Sequence, residues 1–386
     1  MMISLLTEKQ NELYIRFKKY VNERVIPFAS EWDCNEEIPR ESIHEIGKLG
    51  YLGSLIPTEY GGQNWDVVTF GLLNEAVGRG TAALADLLTI QGMISITLLK
   101  WGTVEQKSSW LRLLAEGKII GAFALTEPGA GSNIKAIKTQ LYKDGNKYRL
   151  NGNKRWISYG QIADLFLVFG KSGDESLACL LPKDSPGLEV ESIKNMMGFK
   201  AAKMAQLNFN NIEIPYENII GKPGFALSMI APFGLHYGRI STACSALGLL
   251  RACYEESISY ASQRQVYGKS IGNRGMLQTL LTRMGTDLRA ASLLCYSACR
   301  TEDAHLSEAF EDVLMAKYFT SRAVVNAASD AVQIHGASGC NESSPVARYY
   351  RDSKIFEIIE GTTQIYEKIL GKTFLDKLNE AETVIS

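Results

Sequence analysis

The sequence predicts an α+β, multi-domain chain: an N-terminal helical domain over 1–120, a middle antiparallel β domain over 121–225 and a C-terminal four-helix bundle over 226–386. Three observations carry this reading. Apolar residues recur at helical spacing through the first block, the period shortens to that of strands in the second, and long, nearly proline-free helical stretches return in the third. Helix and strand blocks that are segregated along the chain suit an α+β architecture rather than an alternating one. At about 150 residues per domain the length allows two or three domains.

Each block has its own markers. In Met1 to Tyr20 the charges Glu8, Lys9, Glu12, Arg16, Lys18 and Lys19 are interspersed with Leu5, Leu6, Leu13, Ile15 and Phe17, which reads as an amphipathic helix and not as a secretory signal. The run Ile56-Pro57-Thr58-Glu59-Tyr60-Gly61-Gly62 interrupts the helical pattern. Leu98 to Leu114 surrounds a polar Thr103-to-Ser109 segment, consistent with a turn into a short helix. Asp144-Gly145 and Asn151-Gly152 are hairpin-type dipeptides beside Tyr148 to Leu150 and Arg155 to Ile157. Leu165 to Phe169, Leu177 to Leu181, Leu188 to Val190 and Ile212 to Ile214 are strand-like, and Pro182, Pro186 and Pro215 close them. Ile240 to Tyr260, Leu277 to Cys299 and Phe310 to Ile334 are long helices suited to a bundle.

Composition excludes several classes. With 41 Lys+Arg against 42 Asp+Glu the formal net charge is −1, which lacks the basic excess of a general nucleic-acid binder. No apolar run approaches a membrane-crossing length, so no membrane association is expected. Seven scattered cysteines, with Cys295 and Cys299 four apart on one helix face, read as buried free thiols in a reducing, cytoplasmic setting. His44, His236, His305 and His335 form no metal-binding spacing, so no metal is expected. A G-x-S-x-G elbow is absent, and Gly129-Ala130-Gly131-Ser132 lacks both the Lys-Ser/Thr ending of a phosphate loop and the third glycine of a dinucleotide fingerprint.

Two segments still carry chemistry. In Thr126-Glu127-Pro128-Gly129-Ala130-Gly131-Ser132 the glycines allow close backbone approach to a ligand, and Thr126 and Ser132 add hydroxyls. Trp156-Ile157-Ser158 ends a strand with an aromatic plane and another hydroxyl, a combination that suits a flat heterocycle or an ordinary core. Near the C-terminus, Gln333-Ile-His-Gly336-Ala-Ser-Gly339 precedes Ile358-Ile359-Glu360-Gly361-Thr362-Thr363-Gln364. A carboxylate in apolar surroundings becomes a usable base near neutral pH. Read locally, Glu360 is equally a surface residue favouring the dipole of the next helix.

Together these segments resemble the acyl-CoA dehydrogenase family over nearly the whole chain. The strings are Ile56-Pro57-x-x-Tyr60-Gly61-Gly62, Glu75-x-x-Gly78-Arg79, Gly102-Thr103-x-Glu105-Gln106-Lys107, Ala124 to Ser132, Asn151-Gly152-x-Lys154-x-Trp156-Ile157-Ser158, Arg264-x-x-Tyr267-Gly268-Lys269 and Glu360-Gly361-Thr362. The resemblance implies FAD bound between the β domain and the bundle. Leu125, Thr126, Gly131 and Ser132 would line the isoalloxazine and the substrate mouth, Trp156 would lie beside the flavin, and Ser158 would bond near N5. Arg264 and the Gln333, Gly336, Gly339 turn would reach the FAD of a neighbouring subunit, so a homodimer or homotetramer is implied. Thr362 and Gln364 would also touch FAD. Arg239 would stand at the substrate mouth. Glu360 would be the catalytic base that takes the α-proton of an acyl thioester on CoA or on acyl carrier protein, while its own backbone and that of Gly361 contact the substrate. The alternative family position for the base is Gly238, which cannot act.

Departures from the family pattern are Ser158 for Thr, Tyr159 for Asn, Tyr267 for Phe, Gly275 for Gln, Ala337 for Gly and Ile359 for Tyr. The Ile358-Ile359-Glu360-Gly361 form, with Gly238-Arg239-Ile240-Ser241 and Leu250-Arg251-Ala252-Cys253, is similar to a branch from polyketide and nonribosomal-peptide pathways that oxidises acyl groups on carrier proteins. The electron acceptor implied is an electron-transferring flavoprotein or dioxygen. The competing readings are a flavin oxidase or monooxygenase using dioxygen, and a non-catalytic scaffold on the same fold.

Overall fold

A computed structural model describes residues 6–385, with side chains to 378; the first five residues of the expected N-terminal amphipathic helix lie outside them. The chain forms two compact units. One comprises residues 1–30, 67–82 and 242–386, the other 31–66 and 83–241.

In the first unit, helix α1 (Glu8–Arg24) opens on a capping box, in which Thr7 accepts from the Gln10 backbone and Gln10 returns the bond. Helix α4 (Val67–Gly80) belongs to this unit too; between them in sequence lie the short helices α2 (Ala29–Cys34) and α3 (Arg40–Lys48), most of α2 and all of α3 in the second unit. The long helices of the third block join them, and all run further than their apolar patterns predicted: α7 (Ala231–Gln263, from Thr242 on in this unit), α8 (Gly275–Asp303), which packs on α4, and α9 (Ala309–His335), which packs on α8. Short α10 (Pro345–Phe356) and α11 (Thr363–Ile385) complete the unit. A buried polar knot ties it together. The Glu75 carboxylate accepts from Tyr14 Oη (3.0 Å), from Tyr296 Oη and from Arg251 (2.6 Å). Burial and the Glu75 charge push both phenols well above their usual range.

In the second unit, α5 (Ala82–Trp101) and α6 (Val104–Ala115) pack on an eight-stranded sheet. By length and composition α5 is apolar enough to cross a membrane, which corrects the expectation that no run approaches that length; most of it is buried in protein, as in a core helix. The turn into α6 stands where the sequence predicts it, and the structure shows it capped by Thr103 and Gln106.

The strands are β1 (Gly121–Ala124), β2 (Gln140–Asp144), β3 (Lys147–Ile157), β4 (Leu165–Ser172), β5 (Glu175–Pro182), β6 (Leu188–Ser192), β7 (Ala205–Pro215) and β8 (Ile219–Ile220). Most pairings are antiparallel, but β4 also pairs in parallel with β1 and with the start of β2, so the sheet is mixed. Asp144-Gly145 makes the β2–β3 hairpin, with Gly145 at φ 61°. Asn151-Gly152 does not make a second hairpin. It is a bulge inside β3 where a Cβ on Gly152 would stand 2.8 Å from Thr139 Cα, and the close approach explains the glycine. A small ribbon, β9 (Gln265–Val266) with β10 (Lys269–Ser270), lies between α7 and α8 in sequence. All seven cysteines are free; five are buried as expected, but Cys34 and Cys340 are exposed.

Candidate active site

The loop after β1 carries four of the candidate residues. Glu127 and Ala130 bond each other across Pro128-Gly129 (3.0 and 3.1 Å), which closes a tight turn. Leu125 is buried, Thr126 half-buried, and Gly131 and Ser132 are exposed. A Cβ on Gly131 would meet nothing nearer than Thr126 Cγ2 at 3.9 Å, so the surface there is open to a ligand.

A fully buried lysine fixes this loop to β3. Lys154 Nζ donates to Leu125 O (2.8 Å) and to Glu127 Oε1 (2.9 Å). Glu127 also accepts from Thr139 Oγ1 (2.6 Å) and from the Lys138 and Thr139 backbones. Burial raises the Glu127 pKa, but Lys154 and these donors outweigh it and hold the carboxyl below its usual range. Burial pulls Lys154 down to about 8 against the opposing pull of Glu127. The Arg155 backbone donates to Thr126 O (2.9 Å), which pins the Leu125–Thr126 loop beside the end of β3.

The end of β3 is strained. Its register slips between Lys154 and Ile157, and Trp156 (φ 63°) and Tyr159 (φ 58°) are both left-handed. Bulky residues adopt this conformation only where the surroundings force it, and such strain clusters at functional sites. The bulge turns the Trp156 indole outward, 47% exposed, with the Arg155 guanidinium 4.8 Å from its ring centroid. Tyr159 is buried, and its hydroxyl donates to Ala83 O. Half-buried Ser158 hydrogen-bonds the Asp86 carboxyl on α5. Arg239 is half-buried near the start of α7.

In the first unit, Glu360 stands three residues before α11 in a left-handed conformation (φ 54°), followed by Gly361 at φ 110°. It is half-buried and its Oε2 atom is shielded from solvent, so the surface reading does not hold. A second fully buried lysine holds this turn. Lys317 Nζ donates to Phe356 O (2.8 Å) and Gly361 O (3.0 Å), 4.9 Å from the Tyr366 ring centroid. Tyr366 Oη donates to Glu360 O (2.6 Å). Thr362 is half-buried and Gln364 exposed, both in this turn and the first turn of α11.

Tyr260, one helical turn before Arg264, ties the end of α7 to the Gln333–Gly339 turn. The Arg264 backbone donates to Tyr260 O (2.9 Å), and Tyr260 Oη donates to His335 O (3.3 Å). His335 is buried, stacks on Tyr260 at 4.1 Å and bonds Ala331 O through Nδ1, a packing and hydrogen-bonding role. Arg264, Gln333 and Gly336 are exposed and Gly339 is buried.

Sequence reading missed Lys317, Tyr366 and Asp86. Lys317 and Asp86 had a usable signal, each a lone ionisable residue in an apolar helical stretch. Tyr366 had none.

Fold and site together define a flavoenzyme class. The chain matches the acyl-CoA dehydrogenase N-terminal, middle and C-terminal domains over residues 7–118, 122–212 and 224–375. It is 32% identical over 384 residues to glutaryl-CoA dehydrogenase of Desulfococcus multivorans, covering 97% of each chain. Its structure resembles a glutaryl-CoA dehydrogenase from Mycobacterium smegmatis in complex with FADH2 (TM-score 0.92, 27% identity, 96% and 95% of the two chains). It also resembles the prolyl acyl carrier protein oxidase AnaB (TM-score 0.91, 28% identity, 96% and 99%). The chain belongs to the acyl-CoA dehydrogenase family and is an FAD-dependent oxidoreductase. The residues present fit the cofactor: a half-exposed indole offers a flat apolar face, and Gly131 leaves room beside it.

Proposed function

We propose that this protein dehydrogenates a short acyl thioester, with Glu360 removing the α-proton. The single observation that carries the reading is the Glu360 turn, a strained, half-buried carboxylate fixed by Lys317 and Tyr366 through backbone carbonyls. A thioester α-proton is too weakly acidic for a carboxylate acting alone. Donors at the thioester oxygen must stabilise the developing enolate, the role of an oxyanion hole, and the Glu360 backbone N–H is the chain's own candidate. FAD, when bound, supplies the two-electron acceptor for the β-hydride.

Leu125, Thr126, Gly131, Ser132, Trp156 and Ser158 would hold the flavin ring. Arg264, Gln333, Gly336, Gly339, Thr362 and Gln364 would reach FAD from the helical bundle, some of them from a neighbouring subunit of a dimer or tetramer. Ser132, Arg239 and Gly361 would contact the thioester. The three-domain division at 120 and 225 belongs to this reading. So does a carrier-protein thioester from biosynthesis as the substrate, a reading supported by the likeness to AnaB, itself an acyl carrier protein oxidase.

The test is anaerobic flavin bleaching by a panel of short acyl groups, each offered on CoA and on acyl carrier protein. Bleaching by at least one saturated thioester is expected, and faster bleaching on the carrier protein supports the biosynthetic reading. No bleaching by any thioester, with the flavin bound, contradicts the reaction.

A further inference from the structure

We infer that the first unit holds a binding site for a small organic carboxylate with a flat apolar body, formed by residues that the dehydrogenase reading does not use. A cavity of about 340 Å³ opens between α1, α4, α7 and α8. That volume lies within the range of small-molecule sites. Tyr14, Arg251 and Tyr296, the three side chains that bond Glu75, line it. Tyr254 and Leu288 extend its apolar wall. Lys18 is half-buried and Arg289 exposed, so the cavity is open to solvent on their side.

What the cavity presents to a ligand is chiefly hydrogen-bond donors. Four cations line it, Lys18, Arg79, Arg251 and Arg289, against one carboxylate, Glu255. Two of these cations are already matched. Arg251 pairs with Glu75 at 2.6 Å, and Arg79 donates to Glu255 (2.7 Å) and to the Asn22 amide oxygen (2.7 Å). The other two are not. Among the described residues Lys18 has only the face of Tyr14, 4.4 Å from the ring centroid, and Arg289 has neither a hydrogen bond nor an ion pair. The Tyr254 hydroxyl also has no partner among them. Two positive charges and a hydroxyl are therefore left over after Glu75 and Glu255 are satisfied.

An anion completes such a set, because ammonium and guanidinium groups form their strongest hydrogen bonds to charged oxygen. The walls decide which anion. Three tyrosine rings and Leu288 favour a flat apolar body, and aromatic faces pack best on another ring. Inorganic phosphate, polar on every side, would be desolvated against those walls without return. A cation of the same shape would meet Lys18 and Arg289 with like charge.

The experiment titrates the FAD-bound protein with para-fluorobenzoate and follows the fluorine NMR line width. Benzylamine supplies the same shape with the opposite charge, and inorganic phosphate supplies charge without the apolar body. Saturable binding of fluorobenzoate is expected, with neither competitor displacing it. Lys18→Gln and Arg289→Gln each remove one charged donor from a solvent-accessible position. Each should weaken binding about 10-fold, while the flavin spectrum and the rate of flavin reduction stay as in wild type. Binding that survives both substitutions, or displacement by benzylamine or by phosphate at equal concentration, overturns the inference. Displacement by an acyl thioester also overturns it, because the carboxylate would then occupy the reaction site and not this cavity.

Discussion

Two buried lysines make an instructive pair. Both Lys154 and Lys317 are completely sequestered, and each donates to main-chain oxygen of a segment bearing candidate chemistry, Lys154 to Leu125 and Lys317 to Phe356 and Gly361. Lys154 is compensated by a carboxylate, Glu127, in a dense set of hydrogen bonds. The described contacts of Lys317 are two carbonyls and the face of Tyr366. The first solution welds strand to loop and costs most when one charge is lost, because the other stays behind. The second anchors the turn before α11 through main-chain oxygens and an aromatic face.

That contrast can be broken at four places, from the largest expected effect to the smallest. Lys154→Met leaves Glu127 charged and buried, and should destabilise the protein by about 3–5 kcal/mol; a Glu127→Gln, Lys154→Met double variant should recover much of it in urea unfolding. Lys317→Met removes the donor to Gly361 O and Phe356 O. It should cost about 1.5–3 kcal/mol and slow flavin reduction while the flavin spectrum stays unchanged. If the two lysine variants cost the same, the comparison fails. Arg264→Ala should weaken FAD retention a few-fold on repeated gel filtration, and tight binding by a monomeric variant would contradict a shared cofactor site.

The smallest effect is a pH signature. The Asp86 carboxyl binds its proton more tightly folded than unfolded, so its contribution to stability is complete at low pH and is lost as pH rises toward about 7. Asp86→Asn removes that loss. The Tm gap between Asp86→Asn and wild type should therefore widen in favour of the variant from pH 5 to 8, and a gap independent of pH would show that the carboxyl does not titrate there.

How much of this was readable beforehand depended on the range of the forces involved. Helical periodicity and turn dipeptides are local, so the three blocks, the turn into α6 and the Asp144-Gly145 hairpin were legible. The Asn151-Gly152 dipeptide was misread because its glycine answers to Thr139, in the segment just before β2. The α5 run was misjudged because a core helix and a membrane span share one pattern, and only packing separates them. The motif residues Thr126, Trp156 and Glu360 were found from resemblance, whereas the strain at Trp156 and Glu360 was not visible in the letters at all. Lys317 and Asp86 act through partners 44 and 72 positions away, a distance no local pattern spans.

The most direct measurement is single-turnover flavin reduction in a Glu360→Gln variant, under anaerobic conditions, with the best thioester from the panel. Loss of a general base predicts a yellow, FAD-replete protein whose reduction is slowed by at least about 100-fold. A variant that is bleached as fast as wild type would remove Glu360 from the reaction.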